Sequence, residues 1–191
     1  ERSRAIWHIY EDQLGEAYTT ILHFSPNPAL RSKFHDDMKY KEYTTTDYES
    51  EFEADMNYDI TDIKLNDDSV DLIICMHILE HISDDRKAMK ELYRILKSGG
   101  KSIIQTPYKE GETYEDPNIV EAAERKLYFG QEDHVRIYSL LDLKIRLMDA
   151  GFSVCNANID LKKQNYHQLT SSPILNAEKK LQNPILENAI R

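Results

Sequence analysis

The sequence predicts an α/β domain built on a doubly wound, mostly parallel sheet with helices on both faces. Three observations carry that expectation. Strand-like and helix-like segments alternate through most of the chain. Val70 to Met76, VDLIICM, is nearly continuous apolar with β-branched members, as a strand covered on both faces of a parallel sheet must be. Ser83 to Ser98 then reads as a helix with one apolar face formed by Ala88, Met89, Leu92, Ile95 and Leu96.

The elements follow in order. Residues 4–18 place Ala5, Ile6, Ile9, Tyr10, Leu14 and Ala17 near a 3.6-residue period, which predicts an amphipathic helix. Thr20 to Phe24 is a strand. Ala29 to Met38 is a short helix started by Pro28, whose missing N–H costs nothing in a first turn. Tyr43 to Tyr48 is rich in β-branched and aromatic residues and predicts a second strand, and Met56 to Ile60 a weak third. In the helix at 83–98, Ser83 is the expected cap. Asp84 and Asp85 suit its positive end and Arg94 and Lys97 its negative end, with Gly99-Gly100 ending it through a left-handed residue. A strand from Lys101 to Thr106 stops at Pro107. The polar segment 108–138 holds a helix from about Asn118 to Tyr128. Ser139-Leu140-Leu141-Asp142 forms a capping-box pattern before a helix ending at Gly151, and Phe152 to Ile159 is a further strand. The expected organisation is one domain over residues 1–159. Residues 160–191 form a polar C-terminal extension with no convincing strand and one helix near 174–189.

A length of 191 residues suits one such domain with a real core. No apolar stretch approaches the roughly 20 residues that cross a bilayer, so no membrane association is expected. The N-terminus, Glu1-Arg2-Ser3-Arg4, shows neither a signal-peptide pattern nor an initiator Met, and a piece of a longer chain is expected. Cys75 and Cys155 lie far apart, each inside an apolar run. That predicts reduced, buried thiols and a cytoplasmic setting, and neither a disulfide nor a metal site. Net charge is −10, and residues 42–71 carry eleven carboxylates against the single Lys64. Such a surface repels phosphate backbones and disfavours nucleic acid, while a small or cationic substrate is accommodated.

In sheets of this kind ligands bind outside the carboxyl ends of the strands. The first such turn, in ILHFSPNPAL, has no glycine. Asp47 lies about 20 residues further on, at the end of the second strand, where a carboxylate can accept both hydroxyls of a ribose. Asp59, followed by apolar Ile60, stands where a carboxylate can accept an amino-group hydrogen bond. A solvated strand-end acid and a turn aspartate are the bland readings of the two.

Residues 67–100, DDSVDLIICMHILEHISDDRKAMKELYRILKSGG, resemble the central block of class I S-adenosylmethionine-dependent methyltransferases, most nearly the small-molecule type. The resemblance runs from about residue 20 to 159. It implies the Rossmann-like methyltransferase fold, S-adenosyl-L-methionine as cofactor and a small-molecule methyl acceptor. It places His23, Phe24 and Ser25 at the first cofactor turn, Asp47 at the ribose, Asp59 and Ile60 beside adenine, and Met76 and His77 at the closing wall. The usual first-turn acid and glycines are replaced by His23, Ser25, Pro26 and Pro28, which resembles a subgroup with an HFxP turn. Glu1-Arg2-Ser3-Arg4 is similar to an ERxR segment that follows a zinc-ribbon-like module in such relatives; that module would lie outside this chain.

Methyl transfer is an in-line displacement at a carbon primed by positive charge, so positioning supplies much of the rate. A base is needed where the nucleophile must lose a proton. The catalytic candidates are His77 and His134, with Asp133 orienting His134. Arg136 and Tyr108 are the candidates for the substrate side. The alternative reading of His134 and Arg136 is that they only pin their loop to the domain, and His81 is expected to be structural. No NPPY-like motif is present, which disfavours DNA-adenine or protein-glutamine methylation, and no GxGxxG is present, which disfavours a dehydrogenase. The alternative function is a methyltransferase-like domain without catalysis, acting as a binding or interaction module.

Overall fold

The computed structural model describes residues 2–11, 18–36, 42–157 and 174–181. Helix α1 (Arg2–Ile9) is followed by strand β1 (Thr20–Phe24), helix α2 (Pro28–Asp36) and strand β2 (Glu42–Thr46). β1 and β2 pair in parallel, from Thr20 opposite Glu42 to Phe24 opposite Thr46. Strand β3 (Val70–Met76) lies parallel on the other side of β1. Helix α3 (Asp85–Ile95) then crosses to strand β4 (Leu96–Gln105), parallel to β3. Further along come β5 (Tyr108–Lys109), β6 (Tyr114–Glu115), α4 (Ala122–Phe129), β7 (Arg136–Ser139), α5 (Leu140–Asp149), β8 (Ser153–Asn156) and β9 (Leu175–Glu178). The main sheet has the order β2-β1-β3-β4-β9-β8, and only β9 runs against its neighbours. This is the doubly wound, mostly parallel sheet that the alternation predicts.

Alternate residues of a strand face opposite sides, and both sides are covered. Phe24, Ile73, Cys75 and Ile104 pack with Ala88, Met89 and Leu92 of α3 and Leu143 and Leu147 of α5. Ile21, Leu72, Ile74 and Ile103 pack with Ala5, Ile6 and Ile9 of α1 and Leu30 and Phe34 of α2. Two-sided burial is why VDLIICM has no polar alternation.

Several elements differ from expectation for identifiable reasons. The third strand at 56–60 is reduced to one parallel bridge, Thr46 to Met56. There the Asp55 carboxylate takes the Thr45 N–H at 2.8 Å and its hydroxyl at 2.7 Å, beside backbone bonds confined to residues 45–47 and 55–56, so no longer ladder forms. Helix α3 is capped by Asp84, which accepts from the Lys87 N–H at 3.0 Å, and not by Ser83. It ends at Ile95 because Leu96 is already extended. Gly99 and Gly100 therefore belong to β4, near a register shift between Val70 and Leu72, and do not terminate the helix. Cys155 is exposed on the outer strand β8, unlike buried Cys75. The segment Leu175–Glu178 is a strand and not part of a helix; it is inserted between β4 and β8 and hydrogen-bonded to both. Its low β-propensity hid it, and two flanking strands supply what propensity does not. The segment 108–138 adds a small sheet, β5-β7-β6, absent from the sequence reading. Expected elements over residues 12–17, 37–41, 158–173 and 182–191 lie outside the described residues.

Other expectations match. Asn27 Oδ1 accepts from the Leu30 N–H at 3.0 Å, with Pro28 opening α2. Ser139 Oγ accepts from the Asp142 N–H at 3.1 Å at the start of α5. Among the described residues no helix is long and apolar enough to cross a membrane.

Candidate cofactor cleft

β1, β2 and β3 are in parallel register, and the turns that follow them meet in a cleft of about 200 Å³. The glycine-free turn takes a conformation glycine usually provides. Ser25 sits at φ 44, a left-handed backbone that costs a non-glycine residue roughly 1 kcal/mol or more. Two bonds hold it there. Its N–H donates to the Thr46 carbonyl at 2.8 Å, and its hydroxyl donates to Asp47 Oδ1 at 2.5 Å. Turn one thus orients the acid at the end of β2.

Asp47 is 6% exposed, and its Oδ2 accepts from the Phe52 N–H at 2.9 Å. Each carboxylate oxygen has a second lone pair, so two further hydrogen bonds can be accepted. Asp59 binds the Thr61 N–H and hydroxyl through Oδ1, both at 2.8 Å. Phe24, Ile60, Ile78 and Ile82 supply an apolar wall between these acids. The acceptor set fits a nucleoside: a carboxylate for a vicinal diol, an apolar slot for a base, and a second carboxylate for an amino group. Among the described residues, five carboxylates line the cleft, from Asp47, Glu49, Glu51, Asp59 and Asp133, and no Lys or Arg does. That excess favours a cationic occupant.

The far end is built from histidines. His77 closes β3 at φ 54; its N–H donates to the Gln105 carbonyl at 2.8 Å, and its Nδ1 lies 3.1 Å from Glu80 Oε1. The chain then turns tightly through residues 78–82. Arg136 staples this turn by donating to the carbonyls of Leu79 at 3.2 Å, Ser83 at 2.9 Å and Ile82. Its Nε binds Glu115 at 2.7 Å. Arg146 joins Glu115 to Asp85, at 2.7 and 2.8 Å, and Asp85 accepts from the Tyr138 hydroxyl at 2.5 Å. The hydrogen bond from Arg146, with help from Arg136, pulls the Glu115 carboxyl down to about 2. Burial pushes the Tyr138 hydroxyl well up, and the Asp85 charge adds to it.

Six of the residues assigned from sequence come together in the cleft: Phe24, Ser25, Asp47, Asp59, Ile60 and His77. The others stand elsewhere. The His23 side chain points to the opposite face of the sheet, as strand alternation requires for a neighbour of Phe24. There it packs on Phe34 and Tyr43, with Nδ1 2.9 Å from the Tyr43 hydroxyl, and burial lowers its pKa to about 3. Met76 packs against that same core cluster. Tyr108 is 41% exposed on β5 and is not a lining residue. Arg136 is buried in the staple just described. His134 is buried behind His81, ring against ring at 4.7 Å and 89°. Asp133 pairs with His81, Nδ1 to Oδ2 at 3.0 Å, and His134 Nδ1 faces the Phe129 carbonyl at 3.1 Å. Tyr48, Phe52, Ile78 and Ile82 were missed from sequence as lining residues, and only the aromatic–acid alternation of Tyr48 to Phe52 hinted at two of them.

Known proteins share the domain pattern and the fold. Residues 14–104 match the family described as methyltransferase domain. An uncharacterized methyltransferase of Bacillus subtilis, YcgJ, is 36% identical over 74 residues, which are 39% of this chain and 28% of that protein. The YcgJ crystal structure superposes with TM-score 0.60 at 18% identity, over 93% of this chain and 98% of that one. A chain of the complex between the Haloferax volcanii Trm112 methyltransferase activator and a methyltransferase gives TM-score 0.64 at 15% identity, over 92% and 89%. An S-adenosylmethionine-dependent methyltransferase of Mesorhizobium loti gives 0.59 at 14% identity, over 91% and 96%. Residues 14–104 thus carry the methyltransferase-domain pattern, on the Rossmann-like fold of class I S-adenosylmethionine-dependent methyltransferases.

Proposed function

We propose that this chain is a methyltransferase that binds S-adenosyl-L-methionine in the cleft beyond β1, β2 and β3 and methylates a small molecule. The observation that carries the reading is the Asp47 carboxylate. Ser25 and Phe52 fix it at the end of β2, beside the apolar wall of Ile60. When bound, the cofactor supplies a methyl carbon activated by a sulfonium. Asp47 would hold the ribose hydroxyls, Ile60 and Phe24 would flank adenine, and Asp59 would accept from its amino group. The carboxylate rim raises the local concentration of a cation and leaves polyanionic acceptors disfavoured.

On the acceptor side, His77 is the catalytic candidate that lines the cleft, with Glu80 fixing its ring. It is placed to take a proton from an acceptor that must lose one. His134 lies behind His81 and acts through that neighbour. Arg136 is a positioning residue: it holds the 78–82 turn, and so His77 and His81, in place.

Calorimetric titration with S-adenosylhomocysteine tests the reading. Saturable one-to-one binding is expected, weakened at least about tenfold, or ~1.4 kcal/mol, in Asp47→Asn. No heat at millimolar ligand, in protein shown to be folded, would favour the non-catalytic interaction module instead.

A further inference from the structure

We propose that Glu80, His81 and His134 form a binding site for one divalent first-row transition metal ion, with zinc as the best-fitting occupant. One ligating atom from each of the three lies within 4.8 Å of those of the other two. Ligands around tetrahedral zinc stand about 3.3 Å apart when bonds are ~2.05 Å. Closing the difference takes small side-chain rotations, and the His81 side chain, 29% exposed, has room to make them.

The hydrogen bonds around the cluster prepare both rings as ligands. The Phe129 carbonyl can only accept, so His134 carries its proton on Nδ1 and presents the Nε2 lone pair. The Asp133 carboxylate does the same for His81. A ring proton held by a carbonyl or carboxylate, with the other nitrogen left to ligate, is the outer-shell arrangement that orients metal-binding histidines. Both rings have it here, at right angles to one another.

Glu80 is the independent observation. Its side chain is 1% exposed, its Oε1 is engaged by His77, and its Oε2 is buried without a hydrogen-bond partner. Leaving a carboxylate oxygen so buried is costly unless a hydrogen-bond donor or a cation satisfies it, and a metal ion between the three groups would do so. Arg136, the nearby guanidinium, is committed to Glu115 and to the carbonyls of Leu79, Ile82 and Ser83. The Glu80 backbone carbonyl is itself pinned by the Val135 N–H at 2.9 Å, which fixes its distance from the adjoining His134. Two imidazoles and one carboxylate suit zinc or iron(II) and leave coordination positions open. The cluster borders the cleft, which His81 lines. The site departs from the metal-free expectation of the sequence, and it stands on these contacts whether or not the cleft binds S-adenosylmethionine.

The test is direct metal binding by the full chain, stripped with chelator and titrated with Zn²⁺ by calorimetry and with Co²⁺ by visible absorption. The expected result is one equivalent bound, with ligand-field bands for cobalt in a nitrogen–oxygen site. Glu80→Gln, His81→Gln and His134→Gln should each weaken binding at least about 100-fold, and Asp133→Asn about 10-fold. His81 is partly exposed, so its variant keeps the test valid should the two buried positions not tolerate substitution; thermal unfolding checks each fold. Failure to bind, or binding unchanged in His81→Gln, would overturn the proposal, the latter by placing the ion on the acidic rim.

Discussion

Ser25, Asp47 and His77 show how single residues set the cleft. Ser25 and His77 hold left-handed backbone at the ends of neighbouring strands, where strain of roughly 1–3 kcal/mol persists only if surroundings enforce it. Asp47 is legible in the sequence as a lining residue because it follows a recognisable strand, β2, whereas Asp59 lines the cleft from a turn and not from the end of a third strand. The pairing of Asp133 with His81 is not legible there, since 52 residues separate partners that only the fold brings together. The family resemblance implies that His23 is a cofactor neighbour, whereas strand alternation sends its ring to the opposite core. There it makes a prediction about stability. Burial lowers its pKa from 6.5 to about 3, so the unfolded chain binds one more proton between those values. Stability from this residue is present above pH 6.5 and is lost as pH falls toward 3. From pH 7 to pH 5 the loss is about 2 kcal/mol. Urea unfolding should show that slope, and His23→Gln should flatten it by one proton. An unchanged slope in the variant would refute the assignment.

At the scale of elements, periodicity located β1, β3, α3 and α5 because each has a strong apolar face. It failed where tertiary contacts decide. β9 was invisible as a four-residue strand containing Asn176 and Ala177, yet it bonds to β4 and β8 on both edges. The third strand failed because Asp55 competes for the Thr45 backbone. Gly99 is left-handed, at φ 82, as expected, but Gly99-Gly100 lies inside β4 and does not end the helix. Its actual use is a close approach between β3 and β4. A Cβ on Gly100 would lie 2.8 Å from the Lys97 carbonyl and 2.9 Å from that of Asp71. Both are backbone atoms and cannot swing aside. Gly100→Ala is therefore expected to destabilise the fold by about 1–3 kcal/mol, measured as a lower urea midpoint at unchanged m-value. A neutral effect would mean that β4 does not follow β3 this closely.

For the whole molecule, the sheet does one job at its middle and another at its carboxyl end. Covered on both faces, it is a rigid base on which three turns converge, as in other doubly wound sheets. The charge distribution complements that geometry: net charge is −10, and among the described residues the cleft is lined by carboxylates without a balancing Lys or Arg. Charge and fold class were legible from composition and alternation. The depth of the cleft and the histidine cluster at its end were not, because both depend on the loops 48–60, 77–83 and 130–135 meeting. A crystal of the protein soaked with S-adenosylhomocysteine tests the central claim most directly. The account predicts density in this cleft, with both ribose hydroxyls within hydrogen-bonding distance of Asp47 and adenine against Ile60. Density elsewhere, or a cleft that stays free of ligand at saturating concentration, would contradict it.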